Sequence, residues 1–245
     1  MERTYSSIFN DVLGPVMNGP SSSHSAGCAR IGLMTHCLYG GEIRRADVIF
    51  EEQGSYPSTY IGQGSNFGFT GGLMGMTSDN PRLKDAVTIA QTQGIDIRFK
   101  KAPLGNKHPN QAKIDVLDAD GQTVLSVMTY SIGGGMFQIT ELDGFAVMID
   151  GSRRQGFLCC ETEEACAAAE AVLTHENAHW EKQTDRDRAL YTVPLELEQD
   201  VRAFLALRKK SGIGFVRIAE VILPVARKTA EGVSFNAAET LAAAK

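Results

Sequence analysis

Between Gly19 and Gly27 the chain reads Gly-Pro-Ser-Ser-Ser-His-Ser-Ala-Gly, which sets the hydroxyls of Ser21, Ser22, Ser23 and Ser25 around the imidazole of His24. These residue types suit one kind of chemistry. Hydroxyls and free backbone N–H groups donate to an anion such as a carboxylate, and an imidazole titrates near neutrality and moves a proton. An N-capped helix accounts for the serines alone, because Ser is a favoured cap and Gly-Pro interrupts whatever precedes it. Such a cap has no use for an imidazole, so His24 marks the run as a candidate site for anion binding and proton transfer.

The elements that must hold this run follow from the pattern around it. Ile31, Met34 and Leu38 recur at helical spacing up to Gly40-Gly41, which places a helix over 28–39 with its N-terminus, and its partial positive charge, beside the serines. His36 on that helix has no partner motif and reads as a packing or surface histidine. Arg44 to Glu51 reads as a strand, and its continuous Val48–Phe50 run implies burial on both faces. A glycine-rich passage occupies 54–75. Residues 81–93 form a helix by spacing, Ile95 to Phe99 alternates as a half-buried strand, and His108-Pro109-Asn110 leads into a strand ending at Leu117. Asp118-Ala119-Asp120-Gly121 is a turn signal before a second strand over 123–130, so the pair reads as a hairpin. It ends in Ser131-Ile132-Gly133-Gly134-Gly135, where three glycines permit a backbone approach that side chains would block. Further on, 144–149 and 156–160 read as strands joined by Asp150-Gly151, 162–173 as an alanine-rich helix, 175–188 as a polar linker or exposed helix end, and 201–207 as helix.

A chain of 245 residues, 43% hydrophobic and 22% charged, buries one good core or a medium core with a smaller second unit. Its net charge of −5 gives no general attraction to nucleic acid or to an anionic membrane, so anion binding must be local. No apolar stretch approaches the ~18–20 residues of a membrane span and the N-terminus lacks an apolar signal core, which sets the expectation of a cytoplasmic protein. Cysteines at 28, 37, 159, 160 and 166 show no zinc-type spacing and form an odd set, so reduced thiols are expected. Adjacent Cys159 and Cys160 point to opposite faces of a strand and would not share an ion.

Ser6 to Val16, followed by Gly-Pro-Ser-Ser-Ser-His-Ser-Ala-Gly, closely resembles the start of the beta subunit of iron–sulfur-dependent L-serine dehydratases (L-serine ammonia-lyases), with Ser25 where that family usually has Thr. The His-Pro-Asn entry at 108–110 and the Ser-Ile-Gly-Gly-Gly exit at 131–135 are similar in order and spacing, so the resemblance covers about residues 6–136. Gly62, Gly64 and Gly72-Leu73-Met74-Gly75 fit as well, whereas Gln63 and Ser65 stand where the family usually has a lysine and a histidine.

What the resemblance implies is an α+β domain, a mixed or antiparallel sheet flanked by helices, akin to the allosteric substrate-binding domain of some phosphoglycerate dehydrogenases. It implies conversion of L-serine to pyruvate and ammonia, an amino-acid degradation feeding gluconeogenesis. The cofactor implied is a 4Fe–4S cluster held by an alpha subunit or domain, with ligands outside this chain, in a hetero-oligomer. His24 would be the acid/base group, and Ser21, Ser22, Ser23 and Ser25 would donate to the substrate carboxylate. His108 and Asn110 would complete the pocket, with Gly133, Gly134 and Gly135 letting backbone amides approach. The chain then divides into a beta-type domain over 1–140, a small α/β extension over 141–185, half of an ACT-like unit, and a helical segment over 186–245 whose Gly212–Leu223 stretch loosely resembles the opening helix of the alpha domain. Two other classes compete. A non-catalytic sensor of small carboxylates would use the same pocket without chemistry. A serine hydrolase built on His24 lacks a nucleophile elbow and an orienting acid.

Overall fold

The computed structural model describes residues 16–175 and 179–225; the Ser6–Pro15 part of the N-terminal motif and residues 226–245 lie outside them. The first element is a π-helical turn, Ser22–Ala26, that runs directly into α1, Gly27–Tyr39. Gly40 closes α1 at φ 70°, donating its N–H to the His36 carbonyl, a helix end that glycine reaches without steric cost. The stripe of Ile31, Met34 and Leu38 is fully buried, about 2 kcal/mol of transfer free energy for each side chain.

That stripe packs on a six-stranded sheet of order β2-β1-β3-β4-β5-β6. Its strands are β1 (Arg45–Glu51), β2 (Asp96–Ala102), β3 (Gln111–Leu117), β4 (Thr123–Gly133), β5 (Met136–Leu142) and β6 (Phe145–Ile149). β1 and β2 are parallel, and the crossover between them carries α2 (Tyr56–Thr59), α3 (Ser65–Leu73) and α4 (Ala86–Thr92). The other pairings are antiparallel, including the β3–β4 hairpin expected from Asp118–Gly121. The mixed sheet and flanking helices are those of the α+β class expected. Helices α1 and α3 cross at bare backbone: a Cβ on Gly72 would lie 2.1 Å from the Ala29 carbonyl, and one on Gly32 2.7 Å from the Phe69 carbonyl.

The C-terminal third corrects the sequence reading. The strands over 144–149 and 156–160 do not form one unit: β6 completes the first sheet, while β7 (Gln155–Cys160) opens a second. That sheet has the order β10-β7-β9-β8, built from β7, α5 (Glu163–His175), β8 (Glu181–Asp185), β9 (Arg188–Pro194), α6 (Glu198–Ala206) and β10 (Ile213–Ala219). The succession βαββαβ with this strand order is the ferredoxin-like arrangement. The half-unit placed over 141–185 is therefore a whole one over 155–219, and the supposed linker over 175–188 contains β8 and the first residue of β9. The helix expected over Gly212–Leu223 is instead β10 and the extended chain after it, so the reading of 186–245 as a helical segment opening an alpha domain fails within the described residues.

The physical reason lies in burial. The helices of the second sheet cover one face, where Leu158, Cys160, Tyr191 and Val216 sit, while Phe157, Cys159, Leu190 and Ala219 on the other face join the core of the first sheet. Strands buried on both sides read as continuous apolar runs that spacing cannot tell from helix. Cys159 and Cys160 do point to opposite faces, one into each core.

Candidate active site

The serine run sits over one end of the first sheet. Ser21 caps the helix, its Oγ accepting the His24 N–H at 3.1 Å, and the N–H groups of Ser22 and Ser23 find no hydrogen-bond partner among the described residues. A helix end with free N–H donors and hydroxyls around it has a geometry that suits an anion.

His24 is 6% exposed, and its two ring nitrogens meet two hydroxyls: Nδ1 lies 3.0 Å from Ser23 Oγ and Nε2 3.3 Å from Ser55 Oγ. Ser55 donates its single proton to Asn110 Oδ1, while Asn110 Nδ2 donates to the Ser131 carbonyl at 3.3 Å. A hydroxyl that has spent its proton must accept from His24, so Nε2 carries the imidazole hydrogen and Nδ1 accepts from Ser23. Ser131 Oγ donates to the Ser23 carbonyl at 2.8 Å and closes the ring Ser23–His24–Ser55–Asn110–Ser131. Burial lowers the His24 pKa from 6.5, so the imidazole is neutral at pH 7, and the edge of Tyr56, 5.1 Å away between centroids, backs it.

Four elements supply this ring. Ser23 and His24 begin the helix, Ser55 follows β1, Asn110 precedes β3 and Ser131 lies near the end of β4. The Ser55 and Asn110 loops are joined at backbone level: Ser55 N–H donates to the Pro109 carbonyl at 2.7 Å, and a Cβ on Gly54 would meet that oxygen at 2.6 Å. Glu51, at the end of β1, accepts the N–H groups of Leu104 at 2.7 Å and Asn106 at 2.9 Å, which tethers the loop leading to His108. Gly27 is required because its Cβ would stand 2.5 Å from Ser131 Oγ.

The structure thus brings Ser21, Ser23, His24 and Asn110 together. Ser22 is half-buried beside them on the first turn. Ser25 is fully buried and its hydroxyl is spent on the Gln63 carbonyl at 2.9 Å, tying the run to the loop before α3. His108 stacks on Tyr130 at 5.5 Å and accepts the Asn110 N–H on Nδ1 at 3.0 Å, so it shapes the Asn110 loop. Gly133, Gly134 and Gly135 make the β4–β5 turn with φ of 95°, 60° and 78°, just past Ser131. Arg30 of α1 pins that turn by donating to the Gly135 carbonyl. His36 donates from Nδ1 to the Leu73 carbonyl, 3.0 Å away, in the packing role expected of it. Ser55, Tyr56 and Ser131 are members that sequence reading missed. Their only signal was a hydroxyl beside a glycine-rich strand end.

The cysteines do not fit an iron–sulfur cluster. Among the described residues no three His, Cys, Asp or Glu side chains converge as metal ligands. Cys28 lies under the site with its Sγ 3.4 Å from the Tyr56 hydroxyl, and burial pushes its thiol up to about 12, away from the thiolate a metal needs. No described helix is long and apolar enough to cross a membrane.

The fold and site together define an α+β domain with a polar hydrogen-bonded ring around His24 at a helix N-terminus, carried beside a ferredoxin-like unit. No family model matches the chain. Among curated proteins it is 45% identical over 148 residues, 60% of its length, to the probable L-serine dehydratase, beta chain, of Bacillus subtilis (strain 168). It is 33% identical over 142 residues, 58% of its length, to the L-serine dehydratase, beta chain, of Peptoniphilus asaccharolyticus. The matches span 65% and 63% of those relatives' own lengths, and over that stretch the chain is a homologue of L-serine dehydratase beta chains.

Proposed function

We propose that this chain is the beta component of an iron–sulfur L-serine ammonia-lyase that converts L-serine to pyruvate and ammonia together with an alpha chain. The observation that carries the reading is the closed ring around His24 at a helix end with free N–H donors. It rests equally on homology to chains named for that reaction.

Elimination of water from serine needs a held carboxylate, removal of the α-proton and departure of hydroxide. The N–H groups of Ser22 and Ser23, with the Ser21 hydroxyl, hold the carboxylate at the positive end of the helix. His24 is neutral at rest with its hydrogen on Nε2, and takes up a proton on Nδ1 through the hydroxyl of Ser23. Protonated, it is stabilised by the carboxylate it has helped to bind. Asn110 and Ser131 keep the imidazole in one tautomer and orientation. The 4Fe–4S cluster belongs, in this proposal, to the alpha partner, and the residues of this chain carry no step through it.

A second reading is the small-carboxylate sensor, and the nearly complete burial of His24 favours it, since a locked imidazole serves binding without turnover. Anaerobic co-expression of the full chain with an alpha chain encoded beside it separates the two. The lyase reading expects pyruvate from L-serine only when both chains are present. A full chain that recruits no alpha partner, yet gains thermal stability from L-serine, would establish the sensor instead.

A further inference from the structure

All five cysteines are free thiols, and the fold places them unequally. Cys159 and Cys160 leave β7 on opposite faces: Cys159 enters the core of the first sheet, while Cys160 faces the helices of the second. Cys166, on the first turn of α5 beside the inward-facing Ala165, packs against the same apolar cluster as Cys160. The two thiols are neighbours there: after burial, the charge of Cys166 and a hydrogen bond with it push the Cys160 thiol up to about 12. Their exposure differs. Cys160 is fully buried, whereas Cys166 is half-buried and lines an open cleft of about 540 Å³ with Glu170, Lys182 and Thr184. Glu170 accepts from Lys182 Nζ at 2.8 Å and from the Tyr191 hydroxyl at 2.6 Å, which fixes a cation on that wall of the cleft. One thiol of the pair therefore meets solvent and the other is sealed behind it.

We infer that Cys166 and Cys160 are an oxidisable pair, in which Cys166 meets hydrogen peroxide from the cleft and Cys160 resolves the product into a disulfide between β7 and α5. The Cys166 thiolate attacks one peroxide oxygen and the O–O bond breaks, which leaves a sulfenic acid and a hydroxide that takes up the thiol's proton as water. The Cys160 sulfur then attacks the sulfenic sulfur and expels its hydroxide, which leaves with the Cys160 proton as a second water. Two thiols are oxidised by two electrons, and one peroxide is reduced to two waters. Cys159 is excluded as the resolving thiol because it points into the other core. The pair is separate from the ring around His24 and does not depend on the lyase reading.

Treating the folded full chain with hydrogen peroxide, then unfolding and alkylating it with iodoacetamide for a non-reducing tryptic mass map, tests the pair. The peptide Gln155–Lys182 carries Cys159, Cys160 and Cys166, and should be recovered two hydrogens lighter with a single alkylated cysteine. Cys160→Ser and Cys166→Ser should each abolish that product, and Cys159→Ser should leave the disulfide in place. Dimedone, which captures sulfenic acids, should label Cys166 in the Cys160→Ser chain. Far-UV circular dichroism verifies that each variant is folded, and the map of the unaltered chain decides whether a disulfide forms at all. Three alkylated cysteines in that peptide after peroxide, a disulfide that survives Cys160→Ser or Cys166→Ser, or one lost with Cys159→Ser would each overturn the assignment.

Discussion

His24 is held at the residue scale by two hydroxyls whose roles are forced by a third partner, Asn110. Removing Ser55 breaks the ring where it is most constrained: Ser55→Ala leaves the Nε2–H and Asn110 Oδ1 unpaired, and should cost about 1–3 kcal/mol, read as a lower midpoint in thermal or denaturant unfolding. pH exposes the same residue. Burial lowers the His24 pKa below 6.5, so between the lowered value and 6.5 the unfolded chain binds more protons there than the folded one. Stability should fall as pH drops through that window. His24→Gln should flatten part of the decline but not all of it, because burial lowers His108 in the same direction. The imidazole and the serine run were plain in the sequence, since they are contiguous. Ser55 and Ser131 were not, because a lone hydroxyl gains meaning only from partners 31 and 108 residues away, brought near by strand pairing.

The site depends, at the scale of elements, on how closely α1 can lie against its neighbours. Gly72→Ala drives a Cβ into the Ala29 carbonyl, a backbone atom that cannot swing aside, and should cost about 1–3 kcal/mol or more in unfolding measurements. Arg217 of β10 is a second such joint. It pairs with Asp143 at 2.8 Å and donates to the carbonyls of Leu38 and Val124, joining the second sheet to α1 and to β4. Arg217→Met leaves Asp143 without its partner and should destabilise by about 3 kcal/mol. Elements with their own punctuation were legible: Gly40 ends α1, and Asp118–Gly121 turns β3 into β4. β8 was not, because Glu181–Asp185 is polar and exposed throughout, and only its pairing with β9 makes it a strand.

On the scale of the whole molecule, two sheets share one core, so the ferredoxin-like unit is a structural part of the domain that carries the site. Arg30 of α1 donates both to the Gly135 carbonyl beside the site and to the Ile222 carbonyl just beyond β10, with burial pulling its pKa down to about 10. A chain cut after Asp150 should uncover Phe137 and Ile149 and lose solubility or self-associate, as sedimentation would show. The division into units was misread because β7 and β10 face apolar cores on both sides. The proposed chemistry is tested most directly by pyruvate formation from L-serine in the full chain reconstituted anaerobically with the proposed alpha partner, compared with the same complex carrying His24→Ala. Loss of a positioned acid/base group should lower kcat by about 10²–10⁴ with the complex still assembled. An assembled His24→Ala complex that turns over serine at the unaltered rate would contradict the role given to the ring.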